Sequence, residues 1–328
     1  MLIGDEPVAP EAAPAAAAPG PPPRVAAVTI NFGPPDDTLE CVRSLLANGY
    51  GALSVYLTEN GSPPGHRERL QRELPAGPTL ILAERNLGFS GGNNLAIARA
   101  LADGADYVLL INNDATLEPG AIQRLVDTAG QVPRLGVLTC KIMRADTDGP
   151  TDEIWYAGGG WSRLKAQSYH RGMGERDRGQ YDTPGDTEFA VGCLWLVPRA
   201  VFGAVGLLPD EYFIYGEDTE YCVTLLRRGY RIWYEPAARC YHKVSRTFWK
   251  DRKRASPVVN YYSNRNRILL ARKLVPLVRR PVFYAYLFGT RIVLALLRRD
   301  RSYLYGLWDG LRGRIGQMPP LPAAASRS

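Results

Sequence analysis

Cysteine is scarce in this sequence, and its spacing matches neither a disulfide framework nor a zinc site. The five cysteines are odd in number and far apart, and no two form a C-x-x-C pair: Cys41, Cys140, Cys193, Cys222 and Cys240. Disulfide-rich domains and structural zinc sites both need paired, closely spaced cysteines. We therefore expect reduced thiols in a cytoplasmic protein.

Three other absences narrow the classes of function. The N-terminus is acidic and then rich in Ala and Pro, without the basic and apolar regions of a signal peptide. The chain has no P-loop Gly-Lys-Ser/Thr element and no nucleic-acid-binding motif. It also has no uninterrupted apolar run of the ~20 residues that span a bilayer as a helix. These absences argue against secretion, a Walker site, nucleic-acid binding and a transmembrane helix.

The composition fits one large α/β domain with an appendage. The chain has 328 residues, 45% of them hydrophobic, and a formal net charge of +7. The positive charge is local, because residues 254–316 contain 13 Lys and Arg against 2 Asp and Glu. Residues 1–23, rich in Ala and Pro, offer little to bury, so we expect a disordered tail there.

Short apolar segments alternate with helical patterns in the first third of the chain. We expect strands at Val25–Ile30, Leu53–Leu57, Thr79–Ala83 and Tyr107–Ile111, with helices over Asp36–Asn48 and up to about Asp103. This alternation favours right-handed βαβ units in a Rossmann-like, mostly parallel sheet with helices on both faces. Polar residues follow each strand, and in a parallel sheet these ends share one edge, where ligands bind. They are Asn31, Glu59 with Asn60, the Asn86–Asn94 segment, and Asn112–Asp114.

Two of these strand ends carry candidate binding residues. The glycine-rich segment Gly88–Asn94 precedes a helix start, where free backbone N–H groups can receive a diphosphate. Alternatively, its glycines only permit tight packing of helix on strand. Asp114 follows the buried fourth strand, where an acid can hold a metal ion or a nucleotide. The alternative for Asp114 is a turn or cap residue.

The second half offers a candidate base and a candidate metal ligand. We expect loop with short strands over Asp146–Asp186, then a helix from about Asp218 to Arg228. At 100° per residue Asp218 faces the core with Cys222, whereas Glu220 faces away, so desolvation suits Asp218 to general-base chemistry. Its alternative is a helix N-cap. His242 ends the second of two short strands and is a candidate metal ligand or a structural histidine.

These motifs, in this order, resemble those of the GT-A glycosyltransferases of family 2, in particular the bacterial rhamnosyltransferase-like branch that builds cell-surface polysaccharides. The resemblance covers about Arg24 to Arg272 and rests on Asn60-Gly61-Ser62, Asn86-Leu87-Gly88-Phe89 with Gly91-Gly92-Asn93-Asn94, Leu110 to Asp114, Gly192 with Leu196, Tyr215-Gly216-Glu217-Asp218, and His242. It implies an enzyme that moves a sugar, possibly rhamnose, with inversion from a nucleoside-diphosphate sugar to a hydroxyl group. The implied acceptor is a cell-surface glycan or a polyprenyl-diphosphate-linked lipid.

The resemblance also implies residue roles. Asp218 is the catalytic base, paired with Glu217, and Asp114 with His242 holds Mg²⁺ or Mn²⁺. Asn112 stands where the family's D-x-D motif has its first acid, and Glu59 stands where relatives have an Asp that contacts the base. The implied donor-binding residues are Asn31, Glu59, Asn60, Asn86, Gly88, Gly91, Gly92, Asn93, Asn112 and Asn113.

We expect the chain to divide into four parts, the first of which is the disordered tail at residues 1–23. Residues 24–252 form the catalytic domain, with a nucleotide-sugar-binding half at 24–130 and an acceptor half at 131–252. Residues 253–316 form a helical basic extension, and 317–328 a flexible tail. Phe283–Leu297 is apolar except around Arg291, and arginines flank it. This pattern favours an interfacial helix on an anionic membrane. Its alternative is packing on the catalytic domain or on a second subunit, as in a homo-oligomer.

We expect a cytoplasmic protein that is peripheral on the inner face of the cell membrane. Two other functions stay open. One is a non-catalytic nucleotide-sugar-binding scaffold at the membrane. The other is a sugar-1-phosphate nucleotidyltransferase, which should carry a basic Gly-rich loop directly after the first strand, where this chain has Asn31-Phe32-Gly33-Pro34-Pro35.

Overall fold

The computed structural model describes residues 20–146, 149–244 and 256–319. Most of the expected N-terminal tail (1–19) and of the expected C-terminal tail (320–328) lies outside the described residues. The expected boundary at 252/253 also lies outside them.

The described residues form strands and helices that alternate in the first half of the chain. The strands are β1 Val25–Asn31, β2 Leu53–Asn60, β3 Thr79–Ala83, β4 Tyr107–Ile111, β5 Ala115–Leu117, β6 Leu135–Asp146, β7 Gly149–Tyr156, β8 Gly159–Ser162, β9 Gln167–His170, β10 Gly185–Asp186, β11 Leu194–Pro198 and β12 Arg231–His242. The helices are α1 Asp36–Leu46, α2 Pro64–Glu73, α3 Gly88–Ala102, α4 Ala121–Ala129, α5 Arg199–Val205, α6 Glu217–Arg227, α7 Pro257–Leu274, α8 Arg280–Arg298 and α9 Ser302–Leu311.

A mixed, mostly parallel sheet carries the fold, as the sequence predicts. Its order is β10-β12-β6-β11-β4-β1-β2-β3, with β5 and β7 paired to β12 and β6. The first four strands are mutually parallel, and β12 is parallel to β6. Strand β11 runs antiparallel between β4 and β6, so the residues that precede it lie beside the carboxyl end of β4.

Helices cover both faces of this sheet. On β2, the Tyr56 hydroxyl donates to the Asp103 carboxylate at the end of α3. The next residue, Leu57, packs with Leu39 and Leu70 of α1 and α2. Because successive strand residues point to opposite faces, α3 lies on one face and α1 and α2 lie on the other.

Several boundaries differ from the sequence prediction. Gly88–Asn94 is not a loop, because it forms the first two turns of α3. The two short strands predicted around Ala237 are one irregular strand, β12, with a register shift between Glu235 and Arg239. Helix α1 ends at Leu46, two residues before the predicted end, and β2 continues to Asn60. Helix α2 was not predicted, because Leu70 is its only buried residue and its sequence has no apolar stripe.

The C-terminal helices pack on the sheet domain through α7. Leu269, Leu270 and Leu274 of α7 join Tyr212 and Val223 in one buried cluster. Ser256 caps α7 by accepting from the Val259 N–H, and Pro257 opens its first turn. Helix α9 packs along α7. Because α7 itself packs on Tyr212 and Val223, the C-terminal extension and the sheet domain share a buried core.

Helix α8 is longer than its apolar sequence run. Within the described residues, Leu277–Arg298 is the one helical stretch whose length and composition would allow it to cross a membrane, at 22 residues. Only 17% of its most apolar window is buried. The helix is longer than the apolar segment Phe283–Leu297 on which the sequence prediction of an interfacial helix rests, but length and composition alone do not make it a spanning helix.

Candidate active site

The carboxyl ends of the parallel strands meet at one edge of the sheet. Asn31 at the end of β1 is in register with Glu59, and Asn60 is in register with Ala83 at the end of β3. The Asn112 N–H, just after β4, donates to the Cys193 carbonyl at 2.9 Å. This contact brings the segment before β11 to the edge where the predicted site residues lie.

Asp114 and His242 are neighbours at this edge although they are 128 residues apart in sequence. The pairing of β5 with β12 sets Ala115 opposite His242, and Nε2 of His242 lies 3.0 Å from Oδ1 of Asp114. The Trp155 ring packs edge-on at 4.4 Å from the His242 ring. Burial opposes protonation, but the Asp114 carboxylate outweighs it and raises the pKa of His242.

These two side chains fit a divalent cation. Asp114 lies in a turn, as its alternative reading predicted, yet its carboxylate faces an imidazole and not a helix end. Two cis ligands about 2.1 Å from an octahedral cation are about 3.0 Å apart, which matches their separation. The described part of the chain contains no cluster of three or more His, Cys, Asp or Glu that could hold a metal alone. A cation here would need oxygen ligands from a bound substrate.

Glu217 and Asp218 are the first two residues of helix α6. Asp218 Oδ2 accepts from the Gly192 N–H at 3.4 Å, and Oδ1 accepts from the Thr219 N–H at 2.7 Å. The N-cap position is Gly216, and no side chain caps this helix, so the N-cap reading of Asp218 is wrong. Glu220 instead meets Tyr212 and Lys273, away from the site.

Glu217 and Asp218 are adjacent carboxyl groups, the first buried and the second half-buried. Burial, followed by the charge of Asp218, raises the pKa of Glu217 to about 8. Burial also raises the pKa of Asp218, although the N–H groups of Gly192 and Thr219 oppose that rise by stabilising its carboxylate. Of the two, Asp218 is therefore better suited to be the carboxylate that acts as a general base.

Gly192 lies between the two halves of the site. A Cβ atom at this position would lie 3.5 Å from the Phe89 ring and 3.6 Å from the Asp218 Cβ. Phe89 belongs to α3, whereas Asp218 belongs to α6. Gly192 therefore packs between these two helices, next to the half-buried Asp218 side chain.

A chain of side-chain hydrogen bonds joins Asn31 and Asn113. The Asn113 amide donates to Thr38 Oγ1 at 2.8 Å, and the Thr38 hydroxyl donates to Asn31 Oδ1 at 2.6 Å. The Asn31 amide lies 3.3 Å from Ser62 Oγ. Sequence reasoning missed Thr38, because nothing in the first turn of an ordinary amphipathic helix marks it.

Glu59 is fully buried and engaged by the chain itself. Its Oε1 accepts from the Ser62 N–H, and its Oε2 accepts from Arg67 Nε, both at 2.7 Å. Arg67 comes from the unpredicted helix α2 and was missed with it. The carboxylate thus closes the Asn60-Gly61-Ser62 turn, and its predicted contact with a nucleotide base stays a prediction.

Asn60 and Asn86 shape the start of α3. Asn60 Oδ1 accepts from the Leu87 N–H, and Asn86 Oδ1 accepts from the Gly88 N–H. The Phe89 N–H donates to the Phe213 carbonyl at 2.6 Å. The Gly88 and Phe89 N–H groups at the start of α3 therefore already have acceptors in this structure, and diphosphate binding at this helix start stays a prediction.

The glycines here serve close packing, which was the alternative reading. Gly88 has a φ of +78°, and a Cβ there would lie 2.3 Å from the Phe213 carbonyl oxygen. A Cβ at Gly92 would lie 2.9 Å from the Asn60 amide. Gly91 follows in the same turn. Donor binding by Gly88, Gly91 and Gly92 stays a prediction.

Four buried polar atoms at this edge have no hydrogen-bond partner among the described residues. They are Asn93 Oδ1, Asn112 Oδ1, Glu217 Oε2 and His242 Nδ1. Buried polar atoms in folded proteins are almost always satisfied, so unsatisfied ones mark places where a ligand or water binds. All four belong to residues that the sequence singles out.

A strap, residues 212–216, holds the start of α6 and was not recognised from sequence. Phe213 and Tyr215 both have positive φ, at 66° and 70°. The side-chain amide nitrogen of Asn266 in α7 lies within 3.2 Å of the carbonyl oxygens of Tyr212, Ile214 and Tyr215. The Asn-Arg-Asn-Arg sequence in α7 is the signal available for this contact, but from sequence alone it indicates only positive charge.

Comparison with known proteins places the chain among glycosyltransferases. A family model described as glycosyltransferase like family 2 matches residues 22–256. An N-acetylglucosaminyl-diphospho-decaprenol L-rhamnosyltransferase of Mycobacterium tuberculosis is 28% identical over 246 residues, covering 69% of this chain and 78% of the relative. The dTDP-rhamnosyl transferase RfbF of Shigella flexneri is 26% identical over 260 residues, covering 72% and 79%.

Solved structures share the fold. The mannosyltransferase PcManGT of Pyrobaculum calidifontis, solved with GDP-Man and Mn²⁺, superposes with a TM-score of 0.52 at 16% identity, covering 89% of this chain and 85% of that one. GalNAc-T7, solved with UDP, GalNAc and Mn²⁺, gives a TM-score of 0.53 at 16% identity, covering 67% of this chain and 43% of that one. These likenesses support the GT-A fold predicted from sequence.

Proposed function

Because the chain belongs to glycosyltransferase family 2 and is a glycosyltransferase that uses a nucleotide sugar, we propose that it transfers L-rhamnose, with inversion, from a nucleoside-diphosphate donor to a lipid-linked sugar. The Shigella relative, named for dTDP-rhamnose, supports the donor. The mycobacterial relative, named for N-acetylglucosaminyl-diphospho-decaprenol, supports an acceptor sugar on a polyprenyl diphosphate. Such a product belongs to cell-surface polysaccharide synthesis.

One observation carries the proposal: the Asp218 carboxylate is half-buried, held by the Gly192 and Thr219 N–H groups, and therefore both fixed in place and accessible. In the proposed reaction Asp218 takes the proton of the acceptor hydroxyl as its oxygen forms a bond to the anomeric carbon. The bond from that carbon to the phosphate oxygen breaks, and its electron pair leaves with the nucleoside diphosphate. Glu217, which stays protonated, leaves the negative charge on Asp218.

We propose that Asp114 and His242 hold Mg²⁺ or Mn²⁺ together with the donor diphosphate. When bound, the cation supplies positive charge that stabilises the leaving phosphate. Their separation of 3.0 Å and the absence of a third clustered ligand among the described residues support binding that depends on substrate oxygens.

The donor pocket is proposed along the carboxyl ends of β1, β2 and β4. Asn112, with an unsatisfied Oδ1, and Asn113 contact the ribose or the sugar, and Asn93 contacts the diphosphate side. Asn31, Glu59, Asn60, Asn86 and the glycines of α3 shape this pocket. Residues 24–130 would thus hold the donor, and residues 131–252 would hold the acceptor.

We also propose that the extension at 253–316 attaches the enzyme to the inner face of the cell membrane. Helix α8 exposes Val293, Leu296 and Leu297 at 53%, 72% and 76%, and arginines flank it. Apolar side chains bordered by arginines are typical of helices at an anionic membrane surface. Peripheral attachment would bring the site to a lipid-linked acceptor.

The membrane proposal is tested by sedimentation with phosphatidylglycerol vesicles. Leu296→Glu together with Leu297→Glu should leave the protein in the supernatant, whereas Leu207→Glu, at an exposed leucine elsewhere, should still sediment. If instead the wild type remains in the supernatant but is a dimer that the double variant abolishes, α8 is a subunit interface.

The catalytic proposal is tested with Asp218→Asn. This variant should lose turnover by about 10²- to 10⁴-fold while still binding the nucleotide, because the amide cannot accept the proton. Glu220→Gln, on the same helix but facing away, should keep turnover near the wild-type rate. Wild-type protein that binds nucleotide sugars yet transfers none across a donor and acceptor panel would instead be a scaffold.

A further inference from the structure

Two arginines from different C-terminal helices have no acidic partner among the described residues, and Arg267 of α7 reaches α8, where its guanidinium carbon lies 5.9 Å from the centre of the Tyr286 ring. Arg267 of α7 is only 6% exposed, and Arg291 lies near the middle of the otherwise apolar helix α8. Neither guanidinium forms an ion pair with a carboxylate in the described part of the chain. Arg291 is the charged residue that interrupts the apolar run of α8.

Both side chains keep a donor unused. Arg267 Nε and Nη2 donate to the Lys165 carbonyl, whereas Arg267 Nη1 is buried and has no partner among the described residues. Arg291 Nε is likewise buried and has no partner there. Buried donors without acceptors cost free energy, so their presence in a packed interface points to an acceptor that binds there.

The electrostatics favour an anion. Burial, followed by the charge of Arg291, lowers the pKa of Arg267 to about 10. Two like charges in a poorly hydrated setting repel each other, and an oxyanion between them would remove both the repulsion and the unmet donors. Guanidinium groups match phosphate oxygens with paired N–H donors, so a phosphate is the fitting anion.

The surroundings indicate that the phosphate belongs to a lipid. The exposed residues Arg163, Leu164 and Lys165 form the turn between β8 and β9, beside Arg267. In α8, the two residues that follow Arg291, Ile292 and Val293, are 45% and 53% exposed. Exposed apolar and basic side chains around a pair of arginines suit a phosphate at the surface of a bilayer.

The β8–β9 hairpin connects this arginine pair to the catalytic base. Ser168 in β9 lies 3.3 Å, oxygen to oxygen, from the Thr219 hydroxyl, and Thr219 donates to Asp218. Ser168 is three positions after Lys165, whose carbonyl accepts from Arg267, and three extended residues span at most about 11 Å. A sugar hydroxyl at Asp218 and a phosphate attached to the same sugar could thus be held at the two ends of the segment 165–168.

We propose that Arg267 and Arg291 bind a phosphate group carried by a lipid, and that in catalysis this is the diphosphate of the acceptor. The second part rests on the proposed function, whereas the first part does not. The pair would fix the acceptor lipid while its sugar reaches Asp218.

The direct test measures binding without any reaction. Phosphatidylcholine vesicles doped with decaprenyl diphosphate should retain the wild type, and Arg291→Gln should weaken this binding at least about tenfold, because it removes hydrogen bonds to a charged group. Arg291→Lys should keep part of the binding. Arg279→Gln, which removes an exposed charge that flanks α8, is the matched control: on these mostly uncharged vesicles the general attraction of a flanking arginine is small, so its loss of binding should be far below that of Arg291→Gln.

Two further arms separate the sources of the phosphate. If vesicles with phosphatidylglycerol but no diphosphate lipid show the same loss in Arg291→Gln, the site binds a phospholipid headgroup. If only the diphosphate lipid shows it, the KM for the lipid-linked acceptor should also rise about tenfold with little change in kcat. An octyl N-acetylglucosaminide acceptor without phosphate should show no change.

The proposal is overturned if Arg291→Gln and Arg279→Gln weaken vesicle binding equally, or if Arg291→Gln raises KM equally for the phosphate-free acceptor. Failure of the proposed function looks different. In that case the wild type would transfer no sugar to the lipid-linked acceptor, yet Arg291→Gln would still lose binding to diphosphate vesicles.

Discussion

The side-chain amide of Asn266 donates to the carbonyl of Tyr215 at 2.6 Å, which ties the C-terminal extension to the residue two positions before Glu217. The same amide reaches the carbonyls of Tyr212 and Ile214, and the buried Arg265 also donates to Tyr212. These contacts hold Phe213 and Tyr215 at positive φ, which non-glycine residues seldom adopt. The extension thus fixes the backbone that leads into α6, the helix that carries the proposed base Asp218.

Replacing Asn266 should therefore impair catalysis more than binding. In Asn266→Ala we expect kcat to fall about 100-fold, because a displacement of about 1 Å at a base can cost that much. The affinity for the nucleotide, measured by calorimetry, should change little. Asn264→Ala is the control, since the Asn264 amide donates within α7 to the Asn260 carbonyl. Equal losses of kcat in both variants would show that α7 contributes only stability.

The metal site gives a second prediction. Removing one ligand in His242→Ala should weaken Mn²⁺ binding in the presence of nucleoside diphosphate by at least about tenfold, since loss of a mere outer-shell contact already costs that much. Without nucleotide, both proteins should bind the ion weakly, because the described residues supply only two clustered ligands. His66→Gln, on α2, is the matched control. Tight binding of Mn²⁺ by the free wild type would contradict the assignment.

The strands were predictable because their signal is local. Tyr107–Ile111 is apolar, rich in β-favouring residues and buried on both faces, and the structure has the strand within those bounds. Gly88–Asn94 was misread, because three glycines and two asparagines have low intrinsic helix propensity. Packing of Gly88 on Phe213 and of Gly92 on Asn60 outweighs that propensity, and neither contact is visible in a local window.

The candidate site was only partly predictable. The residue types of Asp114 and His242 mark them as possible metal ligands. The contact between their side chains, however, depends on the pairing of β5 with β12, and β5 was not predicted. Asp218 could be placed from helical periodicity alone. Asn266 could not, because its contacts are made to backbone atoms about 50 residues away in sequence.

A buried lysine gives a third prediction, on stability. Lys141 is fully buried, and its ammonium donates to both carboxylate oxygens of Asp177, at 3.0 and 3.1 Å. Lys141→Met should lower the free energy of unfolding by about 3 kcal/mol, since it leaves the nearly buried Asp177 without its closest cation. Adding Asp177→Asn should recover part of the loss in urea denaturation.

The control for this prediction is Lys243→Met. Lys243 pairs with Asp37 and Glu40, whose side chains are 45% and 52% exposed, so its loss should cost less than about 1 kcal/mol. If both lysine variants lose the same stability, burial of the Lys141 pair does not set its contribution.

The raised pKa of Glu217 gives a fourth prediction, on the pH dependence of stability. Its folded pKa of about 8 exceeds its ordinary value of 4.5, so between these values the folded state binds more protons than the unfolded state. The free energy of unfolding should therefore decrease as pH rises from 4.5 to 8, because a buried carboxylate must then carry charge beside Asp218.

Glu217→Gln keeps the shape of the side chain and removes this titration. Relative to the wild type it should gain stability on the order of 4 kcal/mol between pH 5 and 8.5, measured from denaturation midpoints. Glu220→Gln, at the Tyr212 and Lys273 contacts, should keep the wild-type profile. Parallel profiles for the wild type and Glu217→Gln would mean that Glu217 is ionised in the fold, and Asp218 would then have to act as a base beside a second charge.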